Sequence, residues 1–240
     1  MEFLKHLDLT KLLFLDIETA PGKAAFGELS DDWQKLWELK ARHIAKDQTP
    51  EEAWERASIY SEFGKVICIS AGYFAYAGGP IQFRVRSFFG HDEREILAAF
   101  AELLRRHFSD RDARLVAHNG KEFDFPYLGR RMLVHGIALP PALDLAGKKP
   151  WEVPHLDTME LWKFGDYKSY TSLNLLAHTL GVPTPKDDID GSQVGRVYWV
   201  ENDLERIRVY CQKDVLTVAQ ILLRYMGKPL LEYDQIHLGV

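Results

Sequence analysis

Asp16 and Glu18 close an unusually apolar string, Leu-Leu-Phe-Leu-Asp-Ile-Glu-Thr, at residues 12–19. The apolar residues before them occupy both parities, as in a central strand covered by helices on each side. Strand side chains alternate faces, so carboxylates two residues apart point the same way. Two acids emerging together from a buried strand repel each other unless a cation lies between them, and a hard, oxygen-seeking ion such as magnesium or manganese suits such donors. An aspartate capping a following turn gives a similar string, so this pair alone does not decide between the two.

Two further strings carry acids that can join the first. Residues 117–128 read Ala-His-Asn-Gly-Lys-Glu-Phe-Asp-Phe-Pro-Tyr-Leu. Asn119-Gly120 is a turn signal at a strand end, and Asp124 stands at the start of the next helix, where capping is its simplest role. A strand lying parallel and adjacent to the first would nevertheless deliver Asp124 to the same sheet edge as Asp16 and Glu18. Farther on, Tyr210 and Asp214 lie at i and i+4, on one face of a helix that Ile207, Leu216, Val218, Ile221 and Leu222 mark as partly buried. Taken separately, they are ordinary surface residues of an amphipathic helix.

The elements needed to position these groups follow from the pattern. After the first strand, Pro21-Gly22 breaks the run, and residues 31–61 read as a helical insertion. Asp31 and Asp32 can cap one helix of it, while Thr49 with Pro50 behind it can start a second. Residues 65–77 and 81–89 form a hairpin around Gly78-Gly79-Pro80. His91-Asp92 starts a helix with Ile96, Leu97, Phe100, Leu103 and Leu104 on one stripe. A short strand at 114–118, a helix through Val134, a short strand at 155–157 and two helices near 172–180 and 203–226 complete the order. This predicts an α/β domain with a mixed five-stranded sheet flanked by helices, the first strands antiparallel and the later ones added in parallel. The chain, residues 1–240, is expected to be one domain carrying the insertion.

Composition narrows the partners. A net charge of −5 argues against broad duplex binding over a basic surface, while leaving room for a pocket taking one strand end. Lys5, Asp8 and Lys11 interrupt any leader-like apolar segment, and no stretch is long enough to span a bilayer. A soluble cytoplasmic protein with no membrane partner is the expectation. Cys68 and Cys211 have no metal-like spacing and read as reduced core residues.

Together, the Phe-Leu-Asp-Ile-Glu-Thr, Asn-x-x-x-Phe-Asp-x-Pro-Tyr-Leu and Tyr-x-x-x-Asp strings resemble the DEDD, or DnaQ-like, superfamily of 3′-to-5′ exonucleases, in its tyrosine subclass. The nearest likeness is to the proofreading domain of family B DNA polymerases, in a stand-alone bacterial form, over roughly residues 12–226. The resemblance implies a ribonuclease-H-like fold and two Mg2+ or Mn2+ ions held by Asp16, Glu18, Asp124 and Asp214. Asp16 would bridge the ions, Glu18 and Asp214 would complete the water-activating site, and Asp124 would hold the second ion through its waters. Tyr210 would orient the attacking water, since a phenol titrating near ~10 is a poor base at neutral pH.

The implied substrate is the 3′ end of single-stranded DNA or RNA, and the implied product a nucleoside 5′-monophosphate. Thr19 is expected to donate to the terminal nucleotide, and Asn119 and Phe123 to line the strand path, although Phe123 fits the core equally well. Asp157 could end a strand or cap a helix. Tyr167-Lys168-Ser169-Tyr170 suits either a nucleic-acid rim or a solvated loop, and His118 and His178 read as structural. The insertion could cover the site, grip substrate or bind another protein, and oligomeric state is open. Rival functions are a non-catalytic nucleic-acid or protein-binding module of the same fold and an internally cutting nuclease.

Overall fold

Leu12–Pro21 forms β1, the central strand, and nine of its ten residues are buried, as the two-sided apolar run requires. It is the third strand of a sheet ordered β5-β4-β1-β2-β3-β6. β2 (Gly64–Tyr76) pairs antiparallel with β1, and β3 (Ile81–Phe89) antiparallel with β2. β4 (Arg114–Ala117) joins β1 in parallel and β5 (Leu156–Asp157) joins β4 in parallel. This computed structural model describes residues 1–76, 78–166, 170–184 and 189–239. Most of the predicted 167–170 rim lies outside those residues; Tyr170 within them is exposed.

Alternation along β1 separates two cores. Leu13, Leu15 and Ile17 pack with Ile96, Leu97, Phe100 and Leu104 of α2 (Glu93–His107) and with Phe125, Leu128 and Met132 of α3 (Asp124–Val134). Leu12 and Phe14 face the other way, against Val215, Val218 and Leu222 of α7 (Leu204–Tyr225). Close approach of α7 depends on Gly72. A Cβ there would lie 2.4 Å from the Phe83 ring and 2.7 Å from Val215. Along the chain between α3 and α7 come α4 (Thr158–Lys163), α5 (Leu173–Thr179) and the short α6 (Val194–Arg196), which runs into a π-helical turn at Val197–Glu201.

The insertion has its own small core. α1 (Asp31–Ile44) begins after Ser30, so Asp31 and Asp32 lie in the first turn rather than at the cap. The second helix is a 3-10 helix, Glu52–Ile59. Thr49 and Glu52 satisfy each other's backbone N–H groups just before it, at 3.2 and 2.8 Å. Trp37 and Trp54 meet edge to face and both abut Phe63. Trp33, Leu36 and Leu39 of α1 remain exposed.

A sixth strand extends the expected five. β6 (Ile236–Leu238) pairs in parallel with the outer side of β3. Three residues carry too little alternation to announce a strand. Its neighbour Gly239 fixes it, donating to the Val85 carbonyl and accepting from Gln212 and Arg208 of α7.

Candidate active site

Asp16 and Glu18 continue the face of β1 on which Phe14 meets α7, so that helix runs past both carboxylates. The Cys211 thiol of α7 donates to the Asp16 backbone carbonyl at 3.4 Å, pinning helix to strand at this level. A carboxylate oxygen from each acid and the Cys211 sulfur lie within 4.8 Å of one another. One turn along, Asp214 hydrogen-bonds with the Tyr210 hydroxyl, as their i, i+4 spacing allows.

β4 stops pairing with β1 after the Phe14–Val116 register. Asp124 then takes over as acceptor: its Oδ1 receives the Ile17 N–H at 3.2 Å. The capping alternative is not realised, because Phe123 occupies the cap position and Asp124 is the first residue of α3. Capping falls instead to Asp157, which ends β5 and accepts from Met159 and Glu160 at the start of α4. The same carboxylate accepts the Asn119 and Lys121 N–H groups, holding the loop that leads to Asp124.

Glu18 and Asp124 are buried, and Asp16 and Asp214 are partly so. Burial raises Asp16 and Glu18 well above the ordinary carboxylate range. The neighbouring acids add to it: Asp214 and Asp124 act on Asp16, and Asp16 and Asp214 on Glu18. Asp124 is pushed up to about 7, chiefly by burial, with Asp157 and Asp214 contributing. Among the described residues no basic side chain forms an ion pair with Asp16, Glu18 or Asp124. Such a donor set fits divalent cations, whose charge removes the repulsion that otherwise protonates it. Cys211 fits less well as a ligand. Burial holds its thiol protonated, and sulfur is a poor donor for a hard cation.

The expected substrate contacts divide. Thr19 is buried, its hydroxyl in hydrogen-bond reach of Tyr127, on the opposite face of β1 from Asp16 and Glu18. Phe123 packs against the α2–α3 core and the Tyr127 ring, 5.3 Å between centroids. Asn119 has a left-handed backbone, φ 61°, and its side-chain oxygen is buried without a hydrogen-bond partner. His118 is structural as expected, bonded to Thr158 and Thr171.

Sequence reasoning missed a supporting arrangement behind the acids. β2 carries a bulge opposite the Glu18–Thr19 step: Cys68 faces Glu18 and Val66 faces Thr19, leaving Ile67 unpaired with β1. The Val66 N–H is taken by the buried Glu93 carboxylate at 2.7 Å. Glu93 in turn accepts from Arg131 at 2.8 Å and from His135. An acid directly after a short loop, ahead of an apolar stripe, reads from sequence as the first turn of a helix and nothing more.

Two comparisons bear on this centre. A family model described as a predicted 3′-5′ exonuclease related to the exonuclease domain of PolB matches residues 59–229. That range includes Asp124, Tyr210 and Asp214 and begins after Asp16 and Glu18. A DNA polymerase of Pyrococcus glycovorans is 24% identical over 170 residues, covering 61% of this chain and 21% of the polymerase. The chain thus spans about a fifth of that relative's length. With an α/β fold of mixed sheet and flanking helices, and a family match over most of its length, the chain belongs to the predicted 3′-5′ exonucleases related to the exonuclease domain of PolB.

Proposed function

We propose that this protein is a divalent-metal-dependent 3′-to-5′ exonuclease that hydrolyses the terminal phosphodiester of single-stranded nucleic acid and releases nucleoside 5′-monophosphates. The observation that carries this is the meeting of Asp16, Glu18, Asp124 and Asp214, from three separate elements, at one poorly solvated point. Such mutual repulsion has no structural use without a cation. Asp16, Glu18, Asp124 and Asp214 would hold two Mg2+ or Mn2+ ions, which supply an acidified water and charge neutralisation on the phosphodiester.

The chain's own groups do the rest. Asp16, on the buried central strand, would serve both ions. The Tyr210 hydroxyl is raised far above its ordinary value by burial and by Asp214, so it stays protonated and orients a water through hydrogen bonding. The buried Asn119 oxygen, which has no hydrogen-bond partner, would accept from the terminal nucleotide once substrate opens access to it. Likeness to a DNA polymerase supports DNA ahead of RNA as substrate.

The test is incubation of wild type and Asp16→Ala with 5′-labelled single-stranded DNA and RNA, with Mg2+ or Mn2+. A descending ladder that disappears in the variant is expected. Internal cuts, or no metal-dependent cleavage of either polymer, would overturn the proposal, and a 3′-phosphorylated substrate separates end-directed from internal attack.

A further inference from the structure

The sheet face opposite the carboxylates presents an ordered row of side chains. Leu13 of β1 pairs with Tyr73 of β2, Tyr73 with Arg84 of β3, and Arg84 with His237 of β6. Directly paired residues project to the same face. In the next row Leu15, Ala71 and Arg86 are partners. α2 covers the inner part of this face but ends at His107. Beyond that end the rows enclose a cavity of about 670 Å³, within the range of small-ligand sites.

Its lining includes the buried Leu13 and Ala71, the half-buried rings of Tyr73 and Phe108, and the exposed Arg84 and Arg86. The β6 wall is held by the three Gly239 hydrogen bonds described above. Among the described residues no carboxylate lines it. Arg84 is bonded only to the Gln82 side chain and Arg86 lies over the Phe88 ring; neither has an acidic partner among the described residues. In a chain of net charge −5, two guanidinium groups without acidic partners, beside the apolar Leu13 and Ala71, offer an anion a place to dock. Alternate residues of one strand, they stand ~7 Å apart along it, a spacing that lets both address one phosphate or two successive ones. The flanking aromatic rings suit a base.

We propose that this cavity binds a nucleotide unit, with its phosphate on Arg84 and Arg86 and its base against Tyr73. The unit is either a free nucleoside monophosphate or part of a single strand passing the sheet edge. The proposal does not rest on the catalytic one, because binding here is measured with cleavage switched off.

Fluorescence anisotropy on the intact chain in a metal chelator tests it, with labelled thymidine monophosphate and a labelled short oligothymidylate as probes. Without cations the acidic centre has no positive charge with which to hold a phosphate, so binding reports on the cavity. Binding of the mononucleotide assigns a free ligand; binding of the oligonucleotide alone assigns a strand. Arg84→Gln/Arg86→Gln is expected to weaken either at least about tenfold. Tyr73→Ala is expected to weaken it as well, and serves if the double variant does not fold, while Asp16→Asn is expected to bind no more weakly than wild type. The proposal falls if neither probe binds, if the arginine and tyrosine variants bind as wild type does, or if an oligoglutamate peptide binds through the arginines while both nucleotide probes fail.

Discussion

Asp124→Asn should make the metal-free protein more stable while removing its activity. Asparagine keeps an oxygen for the Ile17 N–H but cannot ionise, so the hydrogen bond between α3 and β1 survives and the repulsion does not. Asp124 is pushed from 3.8 up to about 7 in the folded chain, chiefly by burial. An acid raised in the folded state stabilises it while protonated, and that stability is lost as pH rises through the folded value. At pH 8 the wild type therefore carries a penalty of about 4 kcal/mol that the variant lacks, at ~1.4 kcal/mol per unit.

Lowering the pH to 5 protonates folded Asp124 but leaves the unfolded carboxylate ionised. The variant's advantage should then shrink by about 3 kcal/mol. Urea denaturation of both proteins in chelator at pH 5 and pH 8 measures this directly. Adding magnesium at about 100 times its dissociation constant should stabilise wild type by ~2.7 kcal/mol and the variant by less. A variant less stable than wild type at pH 8, or an advantage that does not change with pH, would refute the claim that burial and repulsion govern this carboxylate.

Three other outcomes follow from the same geometry. Tyr210→Phe removes the hydroxyl bonded to Asp214 while keeping the ring; kcat for strand degradation should fall ~100-fold with KM little changed, as steady-state kinetics will show. Glu93→Ala strands Arg131 among buried groups and frees the Val66 N–H, and should cost about 3–5 kcal/mol by denaturant titration, with Glu93→Leu/Arg131→Met recovering part of the loss. Burial pushes His155 down to about 4, and Leu115 N–H and the Ala142 carbonyl fix it as the Nε2–H tautomer. Its neutral form stabilises the fold above pH 6.5, and about 3 kcal/mol should be lost as pH falls toward 4; the stability difference between wild type and His155→Gln should shift by that amount across the interval.

Much of the catalytic face could be read from the chain because it depends on local periodicity. The parity of Asp16 and Glu18 and the helical spacing of Tyr210 and Asp214 are properties of single elements, and each element formed where its apolar pattern indicated. Asp124 was legible only by position. Its bond to Ile17 spans 107 residues and depends on where β4 stops pairing, which no local pattern encodes. Cys211 lies next to Tyr210 in sequence, yet its approach to Asp16 depends on how closely α7 packs on β1, which Gly72 permits. Glu93 and Asp157 each hold backbone groups of distant segments, and both look like routine helix-start acids until those segments are brought together. The last strand was missed because its alternation covers three residues and its anchor, Gly239, works through backbone atoms alone.

The bulge at Ile67 also bears on which changes of chain length this fold tolerates. Ile67 and Cys68 both pack into the core beside Cys211, so β2 supplies two adjacent apolar side chains where a regular strand would supply one. Losing Ile67 would leave every remaining partner on its present face: Glu18 still opposite Cys68, Thr19 still opposite Val66. Only the extra bend and twist of the strand would go. A single-codon deletion of this kind would look harmless in an alignment, yet it would straighten the support on which Glu18 rests and separate Val66 from Glu93. Residues with no chemistry of their own can thus be indispensable by number rather than by identity.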